Sequence, residues 1–245
     1  MTDLVVARGL VREFVVGGER IRPVNGVDLT VQAGEVVMIL GRSGAGKTTL
    51  LSLIGALDVP DNGSITVGDV QVEALAGRNR DRFLQVSVGW VFQTAGLVPM
   101  LTAQENVELS LRVAGVDPAT IADRAVEALI TVGLEDRRAH TSAELSGGEQ
   151  HRVALARAVA KRPVIVIADE PTAQLDSETA AGIMRLLVTV AATGTAVLMA
   201  THDTAAVAAA DRVMLMDDGH LTAAPKTNAP YPDTSVTYAR DRRMP

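Results

Sequence analysis

The chain has 245 residues, 47% of them hydrophobic, enough to build one sizeable core. Its formal net charge of −6 argues against the basic stripe expected of a nucleic-acid binder. It has no cysteine, which rules out disulfides and thiol chemistry and fits a reducing compartment.

In chain order, the opening third reads as strands at residues 4–10, 15–24 and 27–31. The start lacks a basic region followed by an apolar stretch, so no secretion signal is expected. The run Val36-Val37-Met38-Ile39-Leu40 reads as a buried strand feeding a glycine-rich loop, with a helix over 47–56. Asn62-Gly63-Ser64 reads as a turn, 64–72 as a short strand pair, and 86–92 as a further strand. Arg78-Asn79-Arg80-Asp81-Arg82, the densest basic run, reads as a solvated helix face. From 102 to about 162 strand signals nearly vanish. Ile121, Ala125, Ala128, Leu129 and Val132 share one helical face, and a helix over 148–161 ends before Pro163. Strand character returns at 164–168, 196–200 and 212–216. Between the first two, Ile183, Leu186, Leu187 and Val190 mark a helix, and Asp218-Gly219 marks a hairpin turn. From about residue 224 the chain is rich in Pro, Thr and Asp without periodicity, and an irregular tail is expected. No apolar run approaches the roughly 18 residues that span a bilayer. The alternation predicts an α/β fold: a mostly parallel sheet, an N-terminal antiparallel β portion, and an inserted all-helical subdomain.

Three motifs carry chemistry. Gly41-Arg42-Ser43-Gly44-Ala45-Gly46-Lys47-Thr48, followed by Thr49, has the spacing of a phosphate-binding P-loop between a strand and a helix. Glycines let backbone N–H groups approach phosphates, and the helix N-terminus adds positive partial charge. Lys47 would reach the β- and γ-phosphates of ATP, and the Thr48 hydroxyl would hold Mg²⁺. Asp169-Glu170 ends an apolar run, so both acids emerge at the carboxyl end of a buried strand, where ligands bind in such sheets. Asp169 would hold the Mg²⁺ shell and Glu170 would polarise the attacking water; an acidic helix cap is the competing reading. Leu145-Ser146-Gly147-Gly148-Glu149-Gln150 offers a hydroxyl and two glycine amides at a helix start, a second anion site. Two such loops on separate lobes can both be used if two copies pair head to tail. Each ATP then lies between the Gly41 loop of one copy and Ser146, Gly147, Gly148 and Glu149 of the other.

Over residues 4 to 222 these motifs resemble the ATP-binding subunits of ATP-binding-cassette (ABC) transporters. The resemblance implies a core of about 1–93 and 163–222, a helical subdomain of about 94–162, and a tail from 223. It implies that Gln93, after Gly89-Trp90-Val91-Phe92, senses the γ-phosphate and Mg²⁺, and that His202 contacts the γ-phosphate. It places Asp176, in Ala173-Gln174-Leu175-Asp176, on a loop crossing the dimer interface, and Phe14 where an aromatic stacks on adenine. Gln174 departs from the small or amide residue expected there, and Trp90 is expected in the core. Gly55-Ala56-Leu57-Asp58 and Leu101-Thr102-Ala103-Gln104-Glu105-Asn106-Val107 are similar to the group serving lipoprotein release, macrolide-type export and cell division. That group implies a second nucleotide-binding subunit and a four-span permease with a large extracytoplasmic domain. It further implies a peripheral position on the cytoplasmic face of the cell membrane, and no nucleic acid. The alternative is a soluble ABC ATPase acting on nucleic acid or the ribosome. A P-loop kinase or GTPase would leave Ser146 and His202 unexplained.

Overall fold

The computed structural model describes residues 2–173 and 175–224. Gln174 and the expected tail beyond residue 224 lie outside the described residues. The chain opens with a long antiparallel hairpin of β1 (Asp3–Val16) and β2 (Glu19–Gln32). The expected strand over 15–24 is wrong, because the turn falls inside it. Gly17 and Gly18 take φ of 60° and 85°, the left-handed geometry a two-residue hairpin turn needs. The Gly-Gly pair was the legible signal. β4 (Asn62–Val67) and β5 (Val70–Gln71) complete a four-stranded antiparallel sheet in the order β2-β1-β4-β5.

The second sheet has the order β10-β9-β3-β8-β7-β6. Its strands are β3 (Val36–Leu40), β6 (Val88–Val91), β7 (Ile165–Asp169), β8 (Ala196–Thr201), β9 (Arg212–Asp217) and β10 (His220–Ala223). β9, β3, β8, β7 and β6 run parallel, and β10 joins antiparallel through the turn at Asp218-Gly219. β3 and β8 are buried along their whole length, as their continuous apolar runs require.

Alternation along these strands divides the core in two. Val37, Ile39, Ile165, Ile167 and Leu198 pack towards α1 (Lys47–Ile54) and the antiparallel sheet. Val36, Met38, Leu40, Val166, Ala168 and Met199 pack towards α3 (Ala103–Val113), α4 (Pro118–Thr131), α5 (Gly147–Val159) and α6 (Ser177–Ala192). The stripe Ile121, Ala125, Ala128, Leu129 and Val132 is buried, as its spacing predicts. Helix α2 (Gly77–Val86) carries the basic run. Arg78, Asn79 and Asp81 are exposed, but Arg80 donates to the Ala56 carbonyl and Arg82 to that of Ala114. Those two arginines therefore stitch neighbouring elements together as well as facing water. No helix among the described residues is long and apolar enough to cross a membrane.

Candidate functional site

The loop 41–48 leaves the carboxyl end of β3 and closes onto α1. Gly46 has φ 106°, and a Cβ there would lie 1.8 Å from the Pro23 carbonyl oxygen of β2, so only glycine fits. Gly41 likewise abuts the Met216 carbonyl of β9, whereas Ser43 and Gly44 face outward. Gly46 caps α1 without a side chain, and the first helical turn carries no acid. Nothing in the side chains competes with an anion for those amides. Ala45 and Lys47 are buried, Thr48 is exposed and Thr49 half-buried. Lys47 folds back over its loop, its Nζ donating to the carbonyls of Gly41 at 2.6 Å and Arg42 at 3.2 Å.

Asp169 ends β7 and Glu170 follows with φ 51°, a left-handed backbone that costs a non-glycine residue about 1–2 kcal/mol. Its N–H donates to the Ala200 carbonyl of β8 at 2.9 Å, which holds the turn. One Glu170 oxygen lies 3.6 Å from Lys47 Nζ, and the other 2.9 Å from His202 Nδ1. The carboxylate is thus held between an amine from β3's loop and an imidazole just beyond β8. Beside it, the Thr48 hydroxyl donates to Asp169 Oδ2 at 2.7 Å. Asp169 Oδ1 is buried and has no hydrogen-bond partner among the described residues. Burial pushes the Asp169 carboxyl up from its ordinary value; the Thr48 hydrogen bond opposes this and the neighbouring Glu170 charge adds to it. An orphaned buried carboxylate oxygen next to a hydroxyl fits a small hard cation that also uses phosphate oxygens.

Gln93 emerges two residues beyond Val91, which pairs with Ala168, so β6 delivers it level with Glu170. Its side chain is exposed, while its backbone carbonyl lies 3.0 Å from His151 Nε2. Phe14 sits near the tip of the first hairpin, paired with Ile21 two residues before Pro23, whose carbonyl abuts the loop at Gly46. The Arg12 guanidinium covers its ring at 4.7 Å and is itself held by Asp58 and Asp61.

The second glycine-rich loop is built differently. Ser146 and Gly147 are exposed, and a Cβ on Gly147 would meet nothing within 4 Å among the described residues. Ser146 caps α5 in a capping box with Glu149, whose carboxylate accepts from the Ser146 N–H and hydroxyl at 2.8 Å each. Those bonds, and Arg137 at 3.1 Å, hold the Glu149 carboxyl below its usual range. Gly148 faces α6, where a Cβ would come within 2.4 Å of Thr179 Cγ2. Asp176 caps α6, accepting from the Glu178 and Thr179 N–H groups and from the Thr179 hydroxyl. Asp176 and the Ser146 loop are therefore neighbours within one chain.

The structure thus gathers Lys47, Thr48, Asp169, Glu170 and His202 in one centre, brings Gln93 to its level on β6, and leaves Ser146 and Gly147 exposed at the start of α5, with Gly148 against Thr179 beside Asp176 and Glu149 half-buried. His151, Arg157 and Arg12 escaped the sequence reading. A polar residue on the apolar face of a helix was the available signal for the first two.

A family model described as ABC transporter matches residues 24–173. An uncharacterized ABC transporter ATP-binding protein of Mycobacterium tuberculosis is 44% identical over 87% of this chain. The chain spans 64% of that relative's length. The lipoprotein-releasing system ATP-binding protein LolD of Syntrophotalea carbinolica is 41% identical over 89% of this chain and 97% of its own. Among solved structures, an ATP-binding cassette captured as a dimer in a post-hydrolysis state with ADP and Pi superposes with a TM-score of 0.81. It is 36% identical and covers 89% of this chain and 96% of its own.

Proposed function

Because the chain belongs to the ABC transporter family, we propose that two copies close around two MgATP and hydrolyse them to drive a separate membrane subunit. The carrying observation is the Glu170 carboxylate, suspended between Lys47 and His202 and beside the Thr48–Asp169 pair. A γ-phosphate entering the loop takes up the Lys47 ammonium now shared with the two loop carbonyls and Glu170. Glu170 is then left with His202 as its partner, placed to accept a proton from water attacking in line. His202 orients that carboxylate. Thr48, Asp169 and the Gln93 side chain would hold Mg²⁺, which supplies charge neutralisation to the phosphates. Phe14, with one face braced by Arg12, stacks on adenine.

Ser146, Gly147 and Gly148 complete the partner copy's site, with Asp176 crossing beside them. The solved neighbour's dimeric state supports this arrangement, as does the outward exposure of Ser146 and Gly147. The division at about residues 94 and 162, with the helical segment moving as a unit, belongs to the same proposal. Exposed apolar side chains at Phe92, Val98 and Met100, the last 87% exposed, flank Gln93 and suit a permease contact. The similarity to lipoprotein-releasing ATP-binding proteins favours a permease of that four-span type, with this subunit peripheral on the cytoplasmic face. The decisive experiment is sedimentation of the Glu170→Gln chain with MgATP. A stable dimer is expected, and Ser146→Arg in the same background is expected to keep it monomeric. A dimer that survives Ser146→Arg overturns the shared site.

A further inference from the structure

We propose that His151 is a positioning residue that ties the Gln93 segment to the loop bearing Ser146, so that a shift at one is shared by the other; this rests on the shared-site reading above. His151 lies on the first turns of α5 and is 9% exposed, a polar ring on the buried face of its helix. Its Nε2 is 3.0 Å from the Gln93 carbonyl, 58 residues earlier in the chain, and its Nδ1 is 3.0 Å from the Gly147 carbonyl. A neutral imidazole has one N–H and donates to one of these carbonyls at a time; an imidazolium serves both. Either way, a single ring stands between the backbone of Gln93 and the backbone of the anion loop.

A second strut reinforces the tie. Arg157, two turns further along α5, donates to the carbonyls of Ala95 at 2.8 Å and Gly96 at 2.7 Å. Residues 93–96 lead from β6 into the helical segment, and three of their carbonyls hang on α5. On the opposite side of the same helix start, Gly148 packs closely against Thr179 of α6. Displacement of Gln93 by a ligand at the Thr48–Asp169 centre is therefore passed through His151 to Ser146 and Gly147. These are the groups that must meet the partner copy's nucleotide.

The test uses the whole chain carrying Glu170→Gln, with ATP-driven dimerisation read by sedimentation velocity. Trp90, the sole tryptophan, stacks on Phe92 with ring centroids 5.1 Å apart and reports on the Gln93 segment by its emission. His151→Phe keeps a ring and deletes both ring nitrogens; His151→Gln restores an N–H for the Gln93 carbonyl. His151→Phe is expected to weaken ATP-driven dimerisation at least about ten-fold, the scale at which small misplacements act. MgATP affinity of the monomer, by equilibrium dialysis, stays within about two-fold, and the MgATP-induced change in Trp90 emission persists, because neither Lys47 nor its loop is touched. In the chain with Glu170 intact, kcat falls about ten-fold with KM little changed, and His151→Gln recovers most of both losses. Should the phenylalanine chain not fold, His151→Met, equally without an N–H but more adaptable, takes its place with the same expectations. Dimerisation and kcat unaffected by His151→Phe overturn the proposal, as does a glutamine variant no better than phenylalanine. A Glu170→Gln chain that stays monomeric with MgATP overturns the shared-site reading itself.

Discussion

Two helices of this chain begin at a glycine-rich loop, and they begin in opposite ways. At α1 the cap is Gly46, with no side chain to offer, and the first turn is left without an acid. Charge is supplied around it instead, by Lys47 of α1 itself and by Asp169 and Glu170 at the end of β7. At α5 the cap is Ser146 in a closed box with Glu149, so the loop satisfies itself. Its exposed rim, Ser146 and Gly147, is open to whatever docks there. The α1 start leaves its amides without a side-chain cap, whereas the α5 start spends one of them on Ser146 and keeps an exposed rim.

The contrast is most sharply tested at the chemistry. Glu170→Gln is expected to lower kcat by about 10²–10⁴-fold while ATP still binds, measured by phosphate release and calorimetry. Turnover near that of the unmodified chain removes Glu170 from its role. Next in size, Lys47→Ala should cost about 1.5–3 kcal/mol of MgATP affinity, roughly 10- to 150-fold in Kd. Ser146→Arg should leave monomer affinity within about two-fold and abolish only the dimer. If both variants weaken monomer binding alike, the two loops form one site and the comparison fails.

Smaller effects separate the two glycines of the second loop. Gly148→Ala drives a Cβ to 2.4 Å from Thr179 and should cost about 1–3 kcal/mol in denaturant unfolding. Gly147→Ala meets nothing within 4 Å and should stay within about 0.5 kcal/mol. A further expectation serves as a control outside both loops. Lys161 donates to the Leu84 carbonyl at 2.9 Å, and burial lowers its pKa from 10.5 to about 8. Between about pH 8 and 10.5 the unfolded chain binds a proton that the folded chain does not, so stability rises with pH there. Lys161→Gln, which keeps a donor, should lose that rise in thermal melts taken across the window.

Much of this was legible in the chain. The buried runs before Gly41 and Asp169 announce parallel strands because both faces must be covered, and the acids and glycines at their ends stand where such sheets bind ligands. The hairpin at Gly17-Gly18 was legible too, but the apolar residues either side of it suggested one strand where there are two. His151 was legible only as a polar residue on an apolar helix face; its tie to Gln93 was not, because the partner is a backbone carbonyl, which every residue possesses. The brace of Phe14 by Arg12 escaped for a related reason, since Asp58 and Asp61 hold the guanidinium from the far end of α1.

The sequence by itself determined the element types, the phosphate loop and the identity of the acids at the strand ends. Periodicity, glycine content and strand-end position are local properties, written in neighbouring residues. Tertiary structure alone decided that Thr48 meets Asp169 across 121 residues, that Glu170 sits between Lys47 and His202, and that Gly148 meets Thr179 beside the exposed rim of the Ser146 loop. Those distances follow from strand order and from helix packing on one sheet face, which emerge only when the whole core closes and its apolar surface leaves water.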